Sequence, residues 1–549
     1  MPWTSDAFEG DVVPTRDLVR LAAAVFPVWL GLALPSARGD EPAVAADFVL
    51  RGGTLIDGTG TPRRVADVAV KGDKVVALGS FKTEPGVKEI DVKGQIVAPG
   101  FIDLHTHSDD PIVAARTRAN RNYQAQGVTT VVTGNCGGGT LDVKAYFKAL
   151  DDQGAGTNVI HLVPLGTVRS AVMGNAERRP TPTELEKMRA LVERGMKAGA
   201  WGVSTGLIYL PGRYAETAEI IALSRVAARH GGIYASHIRD ESAGLLDSID
   251  EAIAVGDGAK IPVHISHLKA SGKLNWGLTK RACERIADAR SAGKLVTADQ
   301  YPYIASSTKL AAMVIPHWAL QGGTEDFKRL ADDRVKGLEL RNEIQADLDS
   351  RDNGASIRIA RYAARPSRVG KNLLQIAKAE GVDPVDVVID IQRHGGAQAI
   401  SFGMSEDDVR DVMTHDFVAT ASDGASHLPG SGDQPHPRAY GTFPRKIRYA
   451  QDDKVITLEQ AVRSCSGLPA EILRLADRGV VKTGAYADLV VFDPVKFRDA
   501  ATFDRPTQYA PGVSYLYVNG VAAVDKGQPQ KALPGRALRL GKGVTETTR

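Results

Sequence analysis

Cysteine is scarce in this chain. The 549 residues include only Cys136, Cys283 and Cys465, and no Cys-x-x-Cys pair occurs. Cysteines this few and this scattered exclude a disulfide framework. A large charge of either sign is also missing: the formal net charge is +3, and no run of lysine and arginine interleaves with aromatic residues. Nothing therefore indicates nucleic acid as a partner.

Long apolar runs are rare, and the one at Leu21 to Leu34 stands out. It is too short to span a bilayer comfortably but has the length of a signal-peptide core, and small-residue sites follow it at Ala37 and Ala45. The first twenty residues carry four acidic side chains, which is unusual for a leader, and a buried helix is the alternative. We predict a signal peptide within residues 1–45, a periplasmic or secreted mature chain, and no stable membrane insertion. A leader that is not cleaved would mean a cytoplasmic protein.

Both ends of the remaining chain read as short antiparallel strands. Apolar and polar residues alternate between glycine turns in "ADFVLRGGTLIDGTG" and "ADVAVKGDKVVALG", and again in "ADLVVFDP" and "VSYLYVNGVAAVDKG". Such alternation is typical of half-buried strands. The pattern predicts one small β domain built from residues 46–97 and 479–549, with another domain inserted between the two segments.

The inserted domain, residues 98–478, alternates short apolar strands with helical stretches. Eight strands are predicted, in "GFIDLHTH", "VTTVVTGNCG", "NVIHLVPLG", "WGVSTGL", "GGIYASH", "IPVHISH", "LVTADQYPY" and "DFVATASDG". This order predicts an α/β fold, a (β/α)8 TIM barrel, whose reactive residues lie at the C-terminal strand ends. A doubly wound sheet is the alternative architecture. Residues 305–416, between the seventh and eighth strands, are long enough for a subdomain or a lid over the site.

Ligand-type residues end five of these strands. His105 and His107 follow the first strand, and Cys136 follows the second. The fifth, sixth and eighth strands end at His237, His267 and Asp423. Residues two apart on a strand share a face, so His105 and His107 are expected to point into the barrel mouth together. Each residue alone is more often a surface or packing residue. The ordered set predicts a metal site, and imidazole, thiolate and carboxylate together suit zinc.

The motifs resemble a known family. "PGFIDLHTHSD", "ASHIRDES", "ISHLK", "ASDG" and "GAYADLVVFDP" are similar to the amidohydrolase superfamily, from about Phe48 to the C-terminus. Many members bridge two metals with a lysine or glutamate on the fourth strand, but "WGVSTGLIY" offers neither. "TGNCG", "STGLIYLPG", "SHLKASG" and "HPRAYGTFPR" instead resemble the N-acyl-D-amino-acid deacylase branch, in which Cys136 would supply the missing anionic ligand.

The resemblance implies a role for each site residue. A tightly bound zinc would be held by Cys136, His237 and His267. A second, weaker site would be formed by His105, His107 and Asp423, with Asp423 also the catalytic base and acid. The pocket and the substrate carboxylate would be contacted by Tyr209, Lys269, Tyr301 and Arg438, with Tyr303 as the alternative to Tyr301.

The expected activity is zinc-dependent hydrolysis of N-acyl-D-amino acids to a carboxylate and a free D-amino acid. The small-molecule alternatives are a hydantoinase or dihydroorotase type that opens a cyclic amide, and a dipeptidase of the same superfamily. A non-catalytic scaffold on the same barrel is the alternative from another class. Such relatives typically lose metal ligands, whereas this chain keeps the full set.

Overall fold

The computed structural model describes residues 43–541. The predicted leader, residues 1–45, lies almost wholly outside this range, so its presence and the predicted export stay predictions. Within residues 43–541, no helix combines the length and apolarity needed to cross a membrane.

Seven strands precede the barrel and begin the β domain. They are β1 (Phe48–Arg51), β2 (Thr54–Leu55), β3 (Arg64–Val65), β4 (Asp67–Lys71), β5 (Lys74–Gly79), β6 (Lys88–Asp91) and β7 (Ile96–Pro99). Four of them form a sheet in the order β5-β4-β1-β6. Apolar side chains of this sheet, such as Leu50, Val68 and Val70, are fully buried in a core separate from that of the barrel.

The barrel strands follow, all parallel to their neighbours. The first seven positions are filled by β8 (Phe101–Asp103), β9 (Val128–Thr133), β10 (Asn158–His161), β11 (Val163–Pro164), β12 (Gly202–Gly206), β13 (Ile233–His237), β14 (Val263–Ile265) and β15 (Val296–Gln300). The predicted third strand is two short strands broken at Leu162: β10 pairs with β9, whereas β11 pairs with β12.

Helices cover the outside of this ring. They are α1 (Arg121–Gln124), α2 (Val143–Gln153), α3 (Leu165–Met173), α4 (Pro182–Lys197), α5 (Thr217–Arg229), α6 (Leu245–Ala259) and α7 (Leu278–Ser291). The start of α4 shows how the sequence sets these boundaries: the Thr181 hydroxyl accepts from the Glu184 N–H, and the Glu184 side chain accepts from the Thr181 N–H. This reciprocal pair satisfies N–H groups that the helix itself cannot.

Residues after β15 build a subdomain with its own core. Its elements are β16 (Ala305–Lys309), α8 (Leu310–Val314), α9 (Gly323–Asp332), α10 (Lys336–Asp349), β17 (Ile357–Arg361), α11 (Leu373–Glu380), α12 (Pro384–Arg393), β18 (Gln398–Phe402) and α13 (Glu406–Val412). The strands form an antiparallel sheet in the order β16-β18-β17. Phe327, Ile344 and Val388 are fully buried in this core. The first strand, β16, faces the mouth of the barrel and lines its cavity.

The chain then returns to close the ring. Strand β19 (Val418–Thr420) pairs in parallel with β15. Beyond it, the Asp423 N–H donates to the His105 carbonyl at 2.8 Å, which joins the eighth position to the first. Three helices follow, α14 (Arg438–Gln451), α15 (Leu458–Cys465) and α16 (Gly467–Ile472).

The last strands complete the β domain. They are β20 (Leu489–Phe492), β21 (Val513–Val518), β22 (Val521–Asp525) and β23 (Gln528–Pro529). They join N-terminal strands in one sheet of order β23-β22-β21-β20-β7-β2-β3. The predicted barrel with a small β domain drawn from both ends of the chain is therefore confirmed.

Candidate functional site

The barrel mouth brings together all six ligand-type residues singled out in the sequence. His237 ends β13, and the others lie just beyond their strands, in the loops that begin there. Two groups of three have ligand atoms within 4.8 Å of one another: His105, His107 and Cys136, and Cys136, His237 and His267. Cys136 belongs to both groups and so lies at the centre of the cluster.

The backbone is left-handed at three of these residues. The φ angle is 52° at Cys136, 38° at His267 and 49° at Asp423. Side-chain-bearing residues rarely adopt positive φ, and where they do the surrounding structure must hold them there. At all three positions the chain turns at a strand end, which directs the side chain into the mouth.

Cys136, His237 and His267 form the inner half of the cluster. The Cys136 Sγ lies 3.5 Å from His237 Nδ1 and 3.8 Å from His267 Nε2. Burial, together with the Asp423 and Glu241 carboxylates, raises the pKa of the Cys136 thiol well above its usual value. Burial likewise holds the pKa of His237 well below its usual value, so this imidazole is neutral near neutral pH. Neutral imidazoles offer lone pairs to a cation, and a bound cation would favour the thiolate.

The fourth strand, β12, has no lysine or glutamate, and its last position is closed to any side chain. A Cβ atom at Gly206, the last residue of β12, would lie 2.1 Å from the Cys136 carbonyl oxygen. Such a contact is far inside van der Waals distance, so only glycine fits. The loop that carries Cys136 therefore occupies the space that any side chain at this last position of the strand would need.

A carboxylate that our sequence reasoning missed lies behind the inner half. Glu241 Oε1 is 2.8 Å from His267 Nδ1, and Glu241 Oε2 is 4.0 Å from His237 Nε2. The Lys269 ammonium donates to the same carboxylate. Burial alone would raise the pKa of Glu241, but Lys269 and the two imidazoles hold it well below its usual value. An ionised carboxylate behind a ligating imidazole fixes its tautomer and raises its basicity. Glu241 lies within "ASHIRDES", one of the motifs that carry the family resemblance, but its spacing does not mark it as a supporting residue.

His105, His107 and Asp423 form the outer half. Asp423 Oδ1 lies 3.0 Å from His107 Nε2 and 3.6 Å from His105 Nε2. The other oxygen, Oδ2, lies 2.9 Å from Arg438 Nη1. Burial would raise the pKa of Asp423, but Arg438 and the histidines hold it well below its usual value. The carboxylate is therefore ionised and already paired on both oxygens.

Asp299, on β15, is a second carboxylate that our sequence reasoning missed. Its Oδ1 accepts from the His267 N–H at 2.7 Å, and its Oδ2 lies 2.8 Å from His264 Nε2 and 3.6 Å from His105 Nδ1. Asp299 therefore contacts one histidine of each half, His267 of the inner half and His105 of the outer half. His264 is buried, and its imidazole hydrogen-bonds Asp299 and Thr297. No spacing pattern in the sequence distinguishes such supporting groups.

A cavity of about 650 Å³ opens above the cluster. Four predicted pocket residues line it: Tyr209, Lys269, Tyr301 and Arg438. Tyr303, the alternative to Tyr301, is buried elsewhere and approaches the Pro437 carbonyl. Arg438 stacks its guanidinium 4.6 Å from the Tyr301 ring centre and donates to the Ser307 carbonyl. These placements agree with the predicted roles, and substrate contacts themselves stay predictions.

Two histidines in the loop after Asp423 also lie at the site. His436 is 4% exposed, with Nε2 2.9 Å from the Ala305 carbonyl and Nδ1 accepting from the Arg438 N–H. It thereby fixes the start of α14 next to the subdomain. His427 also lines the cavity.

The residues fit a zinc ion on chemical grounds. The inner half offers one sulfur and two imidazole nitrogens, a set that zinc accepts with a further position for water or substrate. In His237 and His105, one ring nitrogen faces the Cys136 sulfur and is available to an ion bound there. The opposite nitrogens, His237 Nε2 and His105 Nδ1, are buried without a hydrogen-bond partner.

Comparison with known proteins shows which family has a similar sequence. Residues 88–524 match the model of the "Amidohydrolase family". The chain is 37% identical over 498 residues to a D-aminoacylase of Alcaligenes xylosoxydans xylosoxydans, covering 86% of this chain and 93% of that protein. It is 36% identical to the N-acyl-D-glutamate deacylase of the same organism, covering 91% of this chain and 97% of that one.

A solved structure of the same group of deacylases has a similar fold. An N-acyl-D-glutamate deacylase from Bordetella bronchiseptica, complexed with zinc and a phosphonate mimic of the tetrahedral intermediate, superposes with a TM-score of 0.78 at 36% identity. The match covers 90% of this chain and all of that one.

Proposed function

Because the chain belongs to the amidohydrolase family, and within it to the D-aminoacylases and related deacylases, we propose that it hydrolyses the amide bond of N-acyl-D-amino acids with zinc. The products are a carboxylate and a free D-amino acid. The observation that carries the proposal is the inner half itself: Cys136 with the two imidazoles of His237 and His267, backed by Glu241.

Cys136, His237 and His267 would hold the tight zinc. Bound zinc polarises the amide carbonyl and lowers the pKa of water to about 7, which makes hydroxide available near neutral pH. His105, His107 and Asp423 would hold a weaker second ion. The burial of this cluster among charged groups strengthens every electrostatic interaction in it.

Asp423 moves the proton. As an ionised carboxylate it can accept a proton from the attacking water and deliver it to the leaving nitrogen, so that one group acts as base and then as acid. The carbon–oxygen bond forms first, as the carbonyl π bond opens to a tetrahedral intermediate; the carbonyl then re-forms as the carbon–nitrogen bond breaks, and the amine leaves with the transferred proton. Arg438, 2.9 Å from Asp423, holds this carboxylate in place.

Arg438 and Lys269 are the cations proposed to orient the substrate carboxylate, with Tyr301 between them. Their charged groups lie 4.6 Å and 5.7 Å from the Tyr301 ring centre. A guanidinium can bind a carboxylate through two parallel hydrogen bonds, which fixes the stereocentre relative to the metal.

The cyclic-amide hydrolase and dipeptidase alternatives are not favoured. Two relatives that match 86% and 91% of this chain are named a D-aminoacylase and an N-acyl-D-glutamate deacylase, and the fourth strand, β12, has no lysine to bridge two metals. A scaffold without activity does not explain a complete ligand set with its supporting carboxylates.

The test is a substrate panel with zinc-loaded protein. Paired N-acetyl-D- and N-acetyl-L-amino acids are compared with a hydantoin, dihydroorotate and a dipeptide. We expect release of free amine from the D-enantiomers alone. Ring opening as the dominant activity, or hydrolysis without preference for the D-enantiomer, would contradict the proposal.

A further inference from the structure

A second group of metal-ligand side chains lies outside the barrel mouth. Cys283 on α7, Asp411 on α13 and His415, just after α13, have ligand atoms within 4.8 Å of one another. They supply a thiol, a carboxylate and an imidazole from two elements that are far apart in the sequence. The proposed deacylase activity uses none of them.

Helix geometry places the carboxylate and the imidazole side by side. Asp411 and His415 are four residues apart, so both project from one face of the turn that ends α13. Asp411 Oδ2 lies 4.0 Å from His415 Nε2. This distance exceeds a hydrogen bond but is close to the separation of two ligands around one small divalent ion.

The same carboxylate oxygen has no partner. Asp411 Oδ2 is shielded from solvent and makes no hydrogen bond to any residue between 43 and 541. The Asp411 side chain as a whole is 43% exposed, but this shielded oxygen faces the thiol and the imidazole and leaves a place for a proton or a cation between the three groups. The Cys283 side chain, 0% exposed, closes the inner side of the cluster.

The two helices are held rigidly in this arrangement. Asp408, one turn before Asp411 on α13, accepts from the Gly277 N–H at 2.9 Å and from the Thr279 hydroxyl at 2.7 Å, which ties α13 to the start of α7. A ligand set held by its surroundings loses little freedom when an ion binds.

From this geometry we infer a peripheral site for a divalent cation of the zinc class, bound by Cys283, Asp411 and His415 with water as a fourth ligand. Thiolate, imidazole and carboxylate suit zinc, cobalt or cadmium better than magnesium or calcium. The bound ion joins the barrel helix α7 to the segment through which the subdomain returns to β19. It is a structural metal site that stabilises the contact between these two elements, not a second reaction centre.

Cadmium, followed by its thiolate charge-transfer absorption, tests the site. The chain has only three cysteines, so a Cys136→Ala protein removes the barrel thiolate and leaves Cys283 and Cys465. We expect one equivalent of cadmium–thiolate signal in this background. It should disappear in Cys136→Ala/Cys283→Ser and persist in Cys136→Ala/Cys465→Ala, the matched control.

Because Cys283 is buried, its substitution could unfold the protein, and a second variant at a more exposed ligand controls for this. The His415 side chain is partly exposed, so Cys136→Ala/His415→Ala should fold and bind cadmium at least tenfold more weakly, and zinc should no longer raise its Tm. Absence of any thiolate signal in folded Cys136→Ala protein, or an unchanged signal after His415→Ala, overturns the inference. Neither outcome bears on the deacylase proposal, because no activity is measured.

Discussion

The two halves of the cluster at the barrel mouth use similar residues in different electrostatic settings. In the inner half, the thiol and imidazoles of Cys136, His237 and His267 face one another, and the supporting charge of Glu241 lies behind them. In the outer half, both oxygens of Asp423 already face cationic or histidine partners. A cation entering the outer half must compete with Arg438 for the carboxylate. We therefore expect the inner half to bind metal tightly and the outer half to keep its carboxylate available for proton transfer.

Removal of the Cys136 thiolate should have the largest effect on the difference in metal binding between the two halves. Cys136→Ala leaves two neutral imidazoles at the inner half, fewer than the three protein ligands usual for zinc. We expect loss of tightly bound zinc and of nearly all turnover, measured by metal content after dialysis and by amine release. His105→Ala is the contrast and should keep the tight zinc. Stoichiometric zinc in dialysed, folded Cys136→Ala protein would refute the assignment.

Asp423→Asn should separate chemistry from metal binding. The amide keeps the shape of the side chain but cannot accept the proton of water, so kcat should fall by about 10²–10⁴-fold. Zinc content of the inner half should stay near the wild-type value. A variant that loses its zinc together with its activity would show that the two halves are one inseparable site.

Glu241→Gln should weaken the inner half alone. Loss of a carboxylate behind ligating histidines typically costs about 10–100-fold in metal affinity or activity. Competition with a chelator measures the affinity. Glu251→Gln is the matched control, because Glu251 pairs with Arg239 away from the cluster. Equal zinc affinity in the two variants would remove Glu241 from a supporting role.

Arg438→Lys tests the outer half from the substrate side. A lysine ammonium keeps the charge but cannot make two parallel hydrogen bonds, so we expect KM for an N-acyl-D-amino acid to rise about tenfold or more. Arg445→Lys on the same helix serves as control, since Arg445 pairs with Asp499 outside the cavity. Unchanged kinetics would exclude Arg438 from the binding site.

The smallest expected effect concerns the cavity wall. Lys309, the last residue of β16, is exposed and lines the cavity. An exposed ion pair contributes about 0.2–1 kcal/mol. Lys309→Met should therefore lower kcat/KM for N-acetyl-D-glutamate relative to N-acetyl-D-leucine by about two- to fivefold, and Lys309→Arg should not. An unchanged ratio would show that this wall does not sense substrate charge.

The sequence predicts the ligands better than their supports. His105, His107, Cys136, His237 and Asp423 are visible because each ends a strand that hydrophobic periodicity marks, and barrel geometry then brings strand ends together. Glu241 and Asp299 act through other side chains, and no spacing rule separates them from ordinary surface acids.

The same limit applies to backbone detail. The eight strand positions follow from apolar runs, but the break at Leu162 within the third does not, since nothing in the mainly apolar stretch "NVIHLVPLG" marks that position. Burial of His436 was equally hidden, because its partner, the Ala305 carbonyl, lies in a subdomain 131 residues away. Contacts of this range depend on tertiary packing and not on local pattern.

The position of the subdomain has an evolutionary consequence. It leaves the barrel after β15 and returns before β19, it has its own hydrophobic core, and it contributes part of the cavity wall through β16. The six ligand-type residues of the barrel mouth all belong to the barrel. Mutations, insertions and deletions in this segment can therefore change which side chains the cavity admits without disturbing the reaction chemistry. The fold thus assigns the reaction chemistry to the barrel and part of the substrate specificity to the subdomain, and these two properties can diversify at different rates.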